Sequence, residues 1–219
     1  MCAASGTEEQ NCDFDPARAT PMIVMAVVMV ILAYLLGSVP TGYLIGLLAG
    51  VDVRYAGSGN IGATNVARVV GKRQGTLTLV ADATKGLIPV LVASQLGMDL
   101  TTTALAGAAA FLGHLYPVFL KFRGGKGVAT ALGVLLAMAP AATLVLMVVF
   151  AVVMLSSRIV SLSSIVTAAA APVVLWLFSS APAAILMAGF LAVMILLRHG
   201  GNIRRLLAGT EPRFGANSQ

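Results

Sequence analysis

The chain is predicted to be an all-α integral membrane protein with seven transmembrane helices, and three observations carry that prediction. Of its 219 residues, 58% are hydrophobic and only 10% charged, with a mean hydropathy of +0.95. Soluble domains hold roughly 25% charged residues. Apolar stretches near the roughly 20 residues needed to cross a bilayer recur along the chain. The Lys and Arg residues gather at alternate breaks between those stretches, as insertion bias requires of a multi-pass protein.

Residues 1–21 read as a disordered polar leader. Glu8, Glu9, Asp13 and Asp15 stand where a signal peptide would carry Lys or Arg. Cys2 and Cys12 both lie here, so no cysteine-built metal or haem site exists. Residues 22–49 form the first span, and Gly37-Ser-Val-Pro-Thr-Gly42 would bend its second half. Gly42, Gly46 and Gly50 then fall at four-residue steps that suit close contact with a neighbouring helix.

A glycine-rich stretch, Gly57 to Lys72, follows. The second span is residues 75–96, a tight turn sits at 97–99, and the third span is 101–120. Lys121-Phe-Arg-Gly-Gly-Lys126-Gly makes a second basic, glycine-rich loop. The apolar run 128–156 exceeds one span, and Pro140 divides it into a short fourth helix and a fifth. Residues 159–178 and 182–197 are the sixth and seventh. The chain thus divides into the leader, a membrane domain over 22–199 and a basic tail over 200–219.

With the N-terminus outside and seven crossings, the C-terminus is cytoplasmic. Arg54, Arg68, Lys72, Arg73, Lys121, Arg123, Lys126, Arg158, Arg198, Arg204, Arg205 and Arg213 then all fall on the cytoplasmic side. Arg18 alone is outside, and Lys85 lies within a span. The net charge of +6 follows from this bias. No basic run interleaves with aromatics, so a nucleic-acid partner is excluded. Both glycine-rich loops, the Arg158 turn and the tail converge on one face.

That face carries the chemistry. In Gly57-Ser-Gly-Asn-Ile-Gly-Ala-Thr-Asn-Val-Ala-Arg68, the glycines let backbone N–H groups approach a ligand. Ser58, Asn60, Thr64 and Asn65 add hydroxyls and amides, and Arg68 can fork onto an oxyanion. The pattern Gly57-x-Gly59-x-x-Gly62 follows a helix rather than a strand, so it is no dinucleotide fingerprint. Lys126, behind Gly124 and Gly125, resembles a phosphate-loop lysine, but Gly127 stands where Ser or Thr would hold Mg²⁺. Asp82 and Lys85, with Gly86 beside them, can pair within the second span. His114 reads first as a hydrogen-bonded histidine at the membrane boundary. His199, with Asn202 one turn later, and Ser161 at another helix mouth read as ligand contacts.

No G-x-S-x-G elbow, HEXXH motif, cysteine nucleophile or carboxylate cluster is present. Neither histidine is followed four residues later by aspartate. The reaction must run on hydrogen bonds and positive charge, with a substrate that arrives activated.

These motifs resemble the bacterial acyl-phosphate:glycerol-3-phosphate acyltransferases. The resemblance rests on Gly57 to Arg68, Asp82-x-x-Lys-Gly86, Gly113-His-Leu-Tyr-Pro through Gly-Gly-Lys126-Gly-Val-Ala-Thr130, and Leu197-Arg-His-x-x-Asn-Ile-Arg-Arg-Leu206. It covers roughly residues 23–211. It implies a multi-pass enzyme of the bacterial inner membrane that moves a long-chain acyl group from acyl phosphate to the sn-1 hydroxyl of glycerol 3-phosphate. The products would be lysophosphatidic acid and phosphate, no cofactor would be needed, and coupling to the enzyme that makes acyl phosphate would be natural.

On this resemblance Ser58, Gly59, Asn60 and Asn65 hold the donor head group and the oxyanion. Arg68, Lys126, Ser161, His199 and Asn202 bind glycerol 3-phosphate. Thr64, Lys85, Gly86, His114, Gly124 and Gly125 complete the substrate contacts. Ser58, Asn60, Arg68, Lys126 and His199 are the expected catalytic set. The rival reading is an organophosphate transporter, but its site would lie at the membrane midplane between repeated halves, and no such repeat is found.

Overall fold

The computed structural model describes residues 16–178 and 180–215. The two cysteines and the four leader acids lie outside them. The first apolar stretch becomes α1, Pro16–Ser38, and α2, Thr41–Leu48. Pro40 forces the break, because its ring removes a backbone donor and cannot follow a helical residue without strain. Gly42 and Gly46 are buried on α2. Gly42 receives both the returning loop and, as the spacing suggests, a neighbouring helix through Thr78, whereas Gly46 receives the loop. A Cβ on Gly42 would overlap the Ile61 carbonyl, and one on Gly46 would press within 2.6 Å of the Val53 side chain. Gly50, at φ +76°, makes the turn out of α2.

The short α3, Ala63–Val69, leads into α4, Lys72–Gln95. Asp99 then starts α5, Leu100–Leu115, by accepting the N–H groups of Thr101 at 2.8 Å and Thr102 at 3.0 Å. That capping occupies donors a helix start leaves open. A 3₁₀ turn, Val118–Leu120, opens the second loop. Beyond it come α6, Val128–Met138; α7, Pro140–Ser157; α8, Val160–Leu177; α9, Pro182–Arg198; and α10, Gly200–Leu207.

Five of these stretches are long and apolar enough to cross a membrane: 20–48, α4, α5 with its 3₁₀ turn, α7 and α8. A sixth arises if α9 and α10, bent 62° from one another, count together. The expected fourth span, α6, is 11 residues long. At 1.5 Å per residue it rises about 16 Å, against about 30 Å of hydrocarbon. Ala139, at φ −148° and ψ 70°, ends α6, and Pro140 starts α7 immediately. Apolar sequence runs through that junction, but the helix axis does not.

The helices pack in neighbouring pairs: α1 on α5, α4 between α5 and α6, and α8 between α7 and α9. Small residues set the closest approaches, as expected where lipid supplies no hydrophobic drive between helices. A Cβ on Gly37 of α1 would collide with the Ala110 backbone, and one on Gly86 of α4 with the Thr130 carbonyl of α6. Leu32, Val80, Val148, Val173 and Leu186 are each more than half exposed on the outer surface, where a bilayer would cover them.

One polar knot lies inside this bundle. Asp82 accepts from Thr41 Oγ1 at 2.5 Å and pairs with Lys85 Nζ at 2.7 Å. His114 Nδ1 stands 3.5 Å from the same oxygen. Lys85 Nζ also donates to the Val39 carbonyl at 3.1 Å, at the break between α1 and α2. Both charges are nearly sealed from solvent (4% and 3% exposed side chains), so each offsets the other's burial.

Candidate active site

Four segments meet at one end of the bundle: the loop after α2, the loop before α6, the start of α8 and the chain beyond α9. Asn65 organises the first. Its amide donates to the carbonyls of Val53, Ala56 and Asn60 at 2.9–3.1 Å and accepts from Ser58 N at 2.9 Å. With every amide group occupied and the side chain buried, Asn65 shapes the loop from within. Asn60 does the same on a smaller scale, accepting from Gly62 N at 2.9 Å. Gly57 and Gly59 take φ +60° and +71°, a region that costs other residues strain. Asn65 thus has a scaffolding part in this loop, and Asn60 Oδ1 a smaller one, whatever they contact besides. Asn65 spends both its amide groups on the loop, and Ser58 and Arg68 are exposed on it.

The second loop is held from below. Gly124 N and Gly125 N each donate at 3.1 Å to the carbonyls of Leu115 and His114 at the end of α5. A Cβ on Gly125 would overlap the His114 imidazole, so the paired glycines are there because the loop lies flat on that ring. Their carbonyls accept from Arg198, Nη2 to Gly124 O at 2.8 Å and Nε to Gly125 O at 3.1 Å. His114 and Lys85 lie beneath the loop, tied to Asp82, and Gly86 is pressed against α6. All three are buried in the bundle. Gly124 and Gly125 remain at the site's floor.

Lys126 Nζ projects from this loop and donates to Asn202 Oδ1 at 2.5 Å. Asn202 Nδ2 in turn donates to Glu211 Oε1 at 2.5 Å. The same carboxylate accepts from Ser161 Oγ at 2.6 Å and from Arg205 Nε at 2.7 Å. Burial opposes ionisation of Glu211, but the bonds from Ser161, Asn202 and Arg205 outweigh it and hold its pKa below the usual carboxylate value. Burial pushes Lys126 down to about 8, with the Arg205, Arg198 and Arg68 charges pushing the same way and Glu211 opposing. His199 donates Nδ1–H to the Ile195 carbonyl at 2.8 Å, which leaves Nε2 as the free ring nitrogen.

The structure therefore brings Lys126, Ser161, His199 and Asn202 together as the sequence suggests, with Arg68 close enough to act on Lys126. The sequence reading did not place Arg198, Arg205 and Glu211 in the site. Glu211 carried a faint signal, as one of few acids beyond the leader. An excess of cations around one carboxylate, with loops that lay down backbone amides, is a site for anionic oxygen ligands.

Known proteins agree in kind. The family model described as glycerol-3-phosphate acyltransferase matches residues 27–209. Among curated relatives, the glycerol-3-phosphate acyltransferase of Geobacter metallireducens is 53% identical over 184 residues, 84% of this chain and 95% of its own. That of Trichlorobacter lovleyi is 50% identical over 184 residues, with the same coverage. That of Aquifex aeolicus is 46% identical over 190 residues, 86% of this chain and 99% of its own.

A crystal structure of PlsY (YgiH), an integral membrane glycerol 3-phosphate acyltransferase in its glycerol 3-phosphate form, superposes with a TM-score of 0.84 at 46% identity. It is covered over 96% of its length, and 87% of this chain is matched. The lysophosphatidic acid form of the same enzyme gives 0.82 at 45%. The chain belongs to the glycerol-3-phosphate acyltransferase family of integral membrane proteins.

Proposed function

We propose that this enzyme transfers a fatty acyl group from acyl phosphate to the sn-1 hydroxyl of glycerol 3-phosphate. One observation carries the reading: the chain from Lys126 through Asn202 to Glu211, joined by Ser161 and Arg205, beside Arg68 and His199. It gathers donors for a phosphate monoester and offers no covalent nucleophile. An acyl phosphate is a mixed anhydride and needs none. The acceptor hydroxyl attacks the acyl carbonyl, the bond from that carbon to the phosphate oxygen breaks, and orthophosphate leaves. The proton lost by the hydroxyl passes to a phosphate oxygen or to His199 Nε2, which its Nδ1–H bond to Ile195 keeps available as an acceptor.

Arg68 and Lys126, with Ser161 and Asn202, would orient glycerol 3-phosphate, with Ser58, Thr64 and Gly59 near the acyl carbonyl. Seven helices, with α6 as a short crossing, an outside N-terminus and a cytoplasmic site would bring both substrates from the cytoplasm of a bacterial inner membrane. Alternating helix direction supports this arrangement, because all four site segments leave the same end of the bundle. Functional coupling to the enzyme that makes acyl phosphate follows from the donor's reactivity.

The test is phosphate release by detergent-purified protein given palmitoyl phosphate, with and without glycerol 3-phosphate. Acceptor-dependent release with equal lysophosphatidic acid is expected. Release that ignores the acceptor, or none from folded protein, would overturn the reading.

A further inference from the structure

Three consecutive residues of the second glycine-rich loop are tied to the place where α9 bends into α10. Gly124 O accepts from Arg198 Nη2 at 2.8 Å, and Gly125 O from Arg198 Nε at 3.1 Å. Lys126 Nζ donates to Asn202 Oδ1 at 2.5 Å. On the opposite side, the N–H groups of Gly124 and Gly125 reach the Leu115 and His114 carbonyls at the end of α5. The loop is thus gripped between two helix ends, and a Cβ on either glycine would overlap His114.

Arg198 is the last residue of α9, and His199 follows it at the bend. His199 is bound back onto the same helix, its N–H to the Ile195 carbonyl at 3.0 Å and its ring Nδ1 to that carbonyl at 2.8 Å. Arg198 and His199 therefore share one fixed helix end. Whatever holds the loop to Arg198 also sets Lys126 against His199.

The two ties from loop to bend differ in kind. The Lys126–Asn202 bond uses the ammonium and the amide assigned to the acceptor's phosphate, so a bound acceptor competes for it. The Arg198 fork touches only backbone carbonyls, and binding leaves it intact. It also meets an electrostatic need. The Gly124 and Gly125 carbonyls face one guanidinium beside a site for anionic oxygen, and bare they would repel a phosphate. A planar guanidinium covers both at once, which the single nitrogen of an ammonium cannot. The Tyr116 ring, 5.6 Å from the guanidinium carbon, adds a cation–π contact, and the Tyr34 hydroxyl holds the Tyr116 carbonyl at 2.8 Å.

We infer that Arg198 is a positioning residue for the acyl transfer. It clamps the Gly124–Gly125 backbone to the end of α9 and keeps Lys126 and His199 at one spacing while substrates come and go. The inference rests on the acceptor reading of the Lys126 cluster given above. A loosened loop still offers Lys126 to a phosphate but no longer aims the acceptor hydroxyl, so kcat suffers more than KM.

The experiment uses the full chain in detergent, as wild type, Arg198→Ala and Arg198→Lys, with folding followed by size-exclusion chromatography and the thermal midpoint. Arg198→Ala is expected to lower kcat roughly a hundredfold, the scale of a misplacement of about 1 Å. KM for palmitoyl phosphate should stay within about twofold, and KM for glycerol 3-phosphate should rise far less than kcat falls. Arg198→Lys, which keeps the charge without the fork, should lie in between. Guanidinium chloride at about 20 mM, far below denaturing concentrations, should restore kcat of Arg198→Ala severalfold. Methylammonium at the same concentration should not.

Wild-type kcat in either folded variant would overturn the proposal. So would a loss expressed only in the palmitoyl phosphate KM, which would make Arg198 a donor contact. No restoration by guanidinium, or equal restoration by both cations, would also overturn it. Where Arg198→Ala does not fold, the split between kcat and KM in Arg198→Lys decides. An unchanged KM for glycerol 3-phosphate in Lys126→Ala would instead sink the acceptor reading, and the guanidinium rescue still decides the clamp in that case.

Discussion

Lys126 shows how a single charge can be tuned by its surroundings. Burial and three nearby guanidinium groups lower its pKa to about 8, so it is charged below that pH and loses its proton above it. The phosphate monoester of the acceptor is a dianion above about pH 6. The log of kcat/KM for glycerol 3-phosphate is therefore expected to be level between these values and to fall with unit slope above about 8. In Lys126→Arg, whose guanidinium does not titrate in that range, any residual activity should lack the alkaline fall. A wild-type profile flat to pH 10 would remove Lys126 from acceptor binding.

Arg68 poses the complementary question of shape. Arg68→Lys keeps the charge but loses the planar fork, and a rise of about tenfold in KM for glycerol 3-phosphate is expected in initial-rate assays, with folding unchanged. Sequence alone pointed to both residues, Lys126 behind a pair of glycines and Arg68 at the end of a stretch dense in glycines, hydroxyls and amides. It did not foresee the loop-holding part of Asn65, since an amide can serve its own loop as well as a ligand, and only the bonds to Val53, Ala56 and Asn60 show the former. It passed over Glu211 because an isolated acid in a basic tail reads as solvated.

At the scale of elements, the two ends of the bundle make separable demands. Asp99 caps α5 at the end far from the site. Asp99→Ala should cost about 1 kcal/mol of stability, visible as a lower thermal midpoint in detergent, while kcat/KM stays at the wild-type value. Gly86 lies where α4 meets α6, against the Thr130 carbonyl. Gly86→Leu should force those helices apart, costing about 1–3 kcal/mol by overpacking, and should lower both the midpoint and the activity, because α6 carries the Lys126 loop. A Gly86→Leu enzyme as stable as wild type would mean that α4 and α6 do not pack this closely.

Element boundaries were legible where a polar or glycine-rich break was strong, as at Gly97–Asp99 and at Arg158. Hydropathy alone does not mark the boundary at Ala139, where the apolar run continues, but Pro140 does, and α6 ends at Met138 with α7 starting at Pro140. Gly42 signalled contact with a neighbouring helix correctly, at Thr78, but Gly46 meets the returning loop, which asks for the same missing side chain.

For the whole molecule, the testable matter is which way it lies. With Cys2 and Cys12 replaced by Ser, single cysteines at Thr210 and at Met98 should label from opposite sides. In inside-out bacterial vesicles a membrane-impermeant maleimide is expected to reach Thr210→Cys and to miss Met98→Cys until detergent is added. The reverse pattern would place the site outside and require acyl phosphate there.

The contacts of Glu211 also bear on the order in which the protein is made. Lys126, Ser161 and Asn202 leave the ribosome before Glu211, and in that interval their cations and hydroxyls have no carboxylate to gather round. A nascent chain can thus insert all its helices before these bonds exist, and they form only when translation has passed residue 211 and the last segment folds back to Ser161, Asn202 and Arg205.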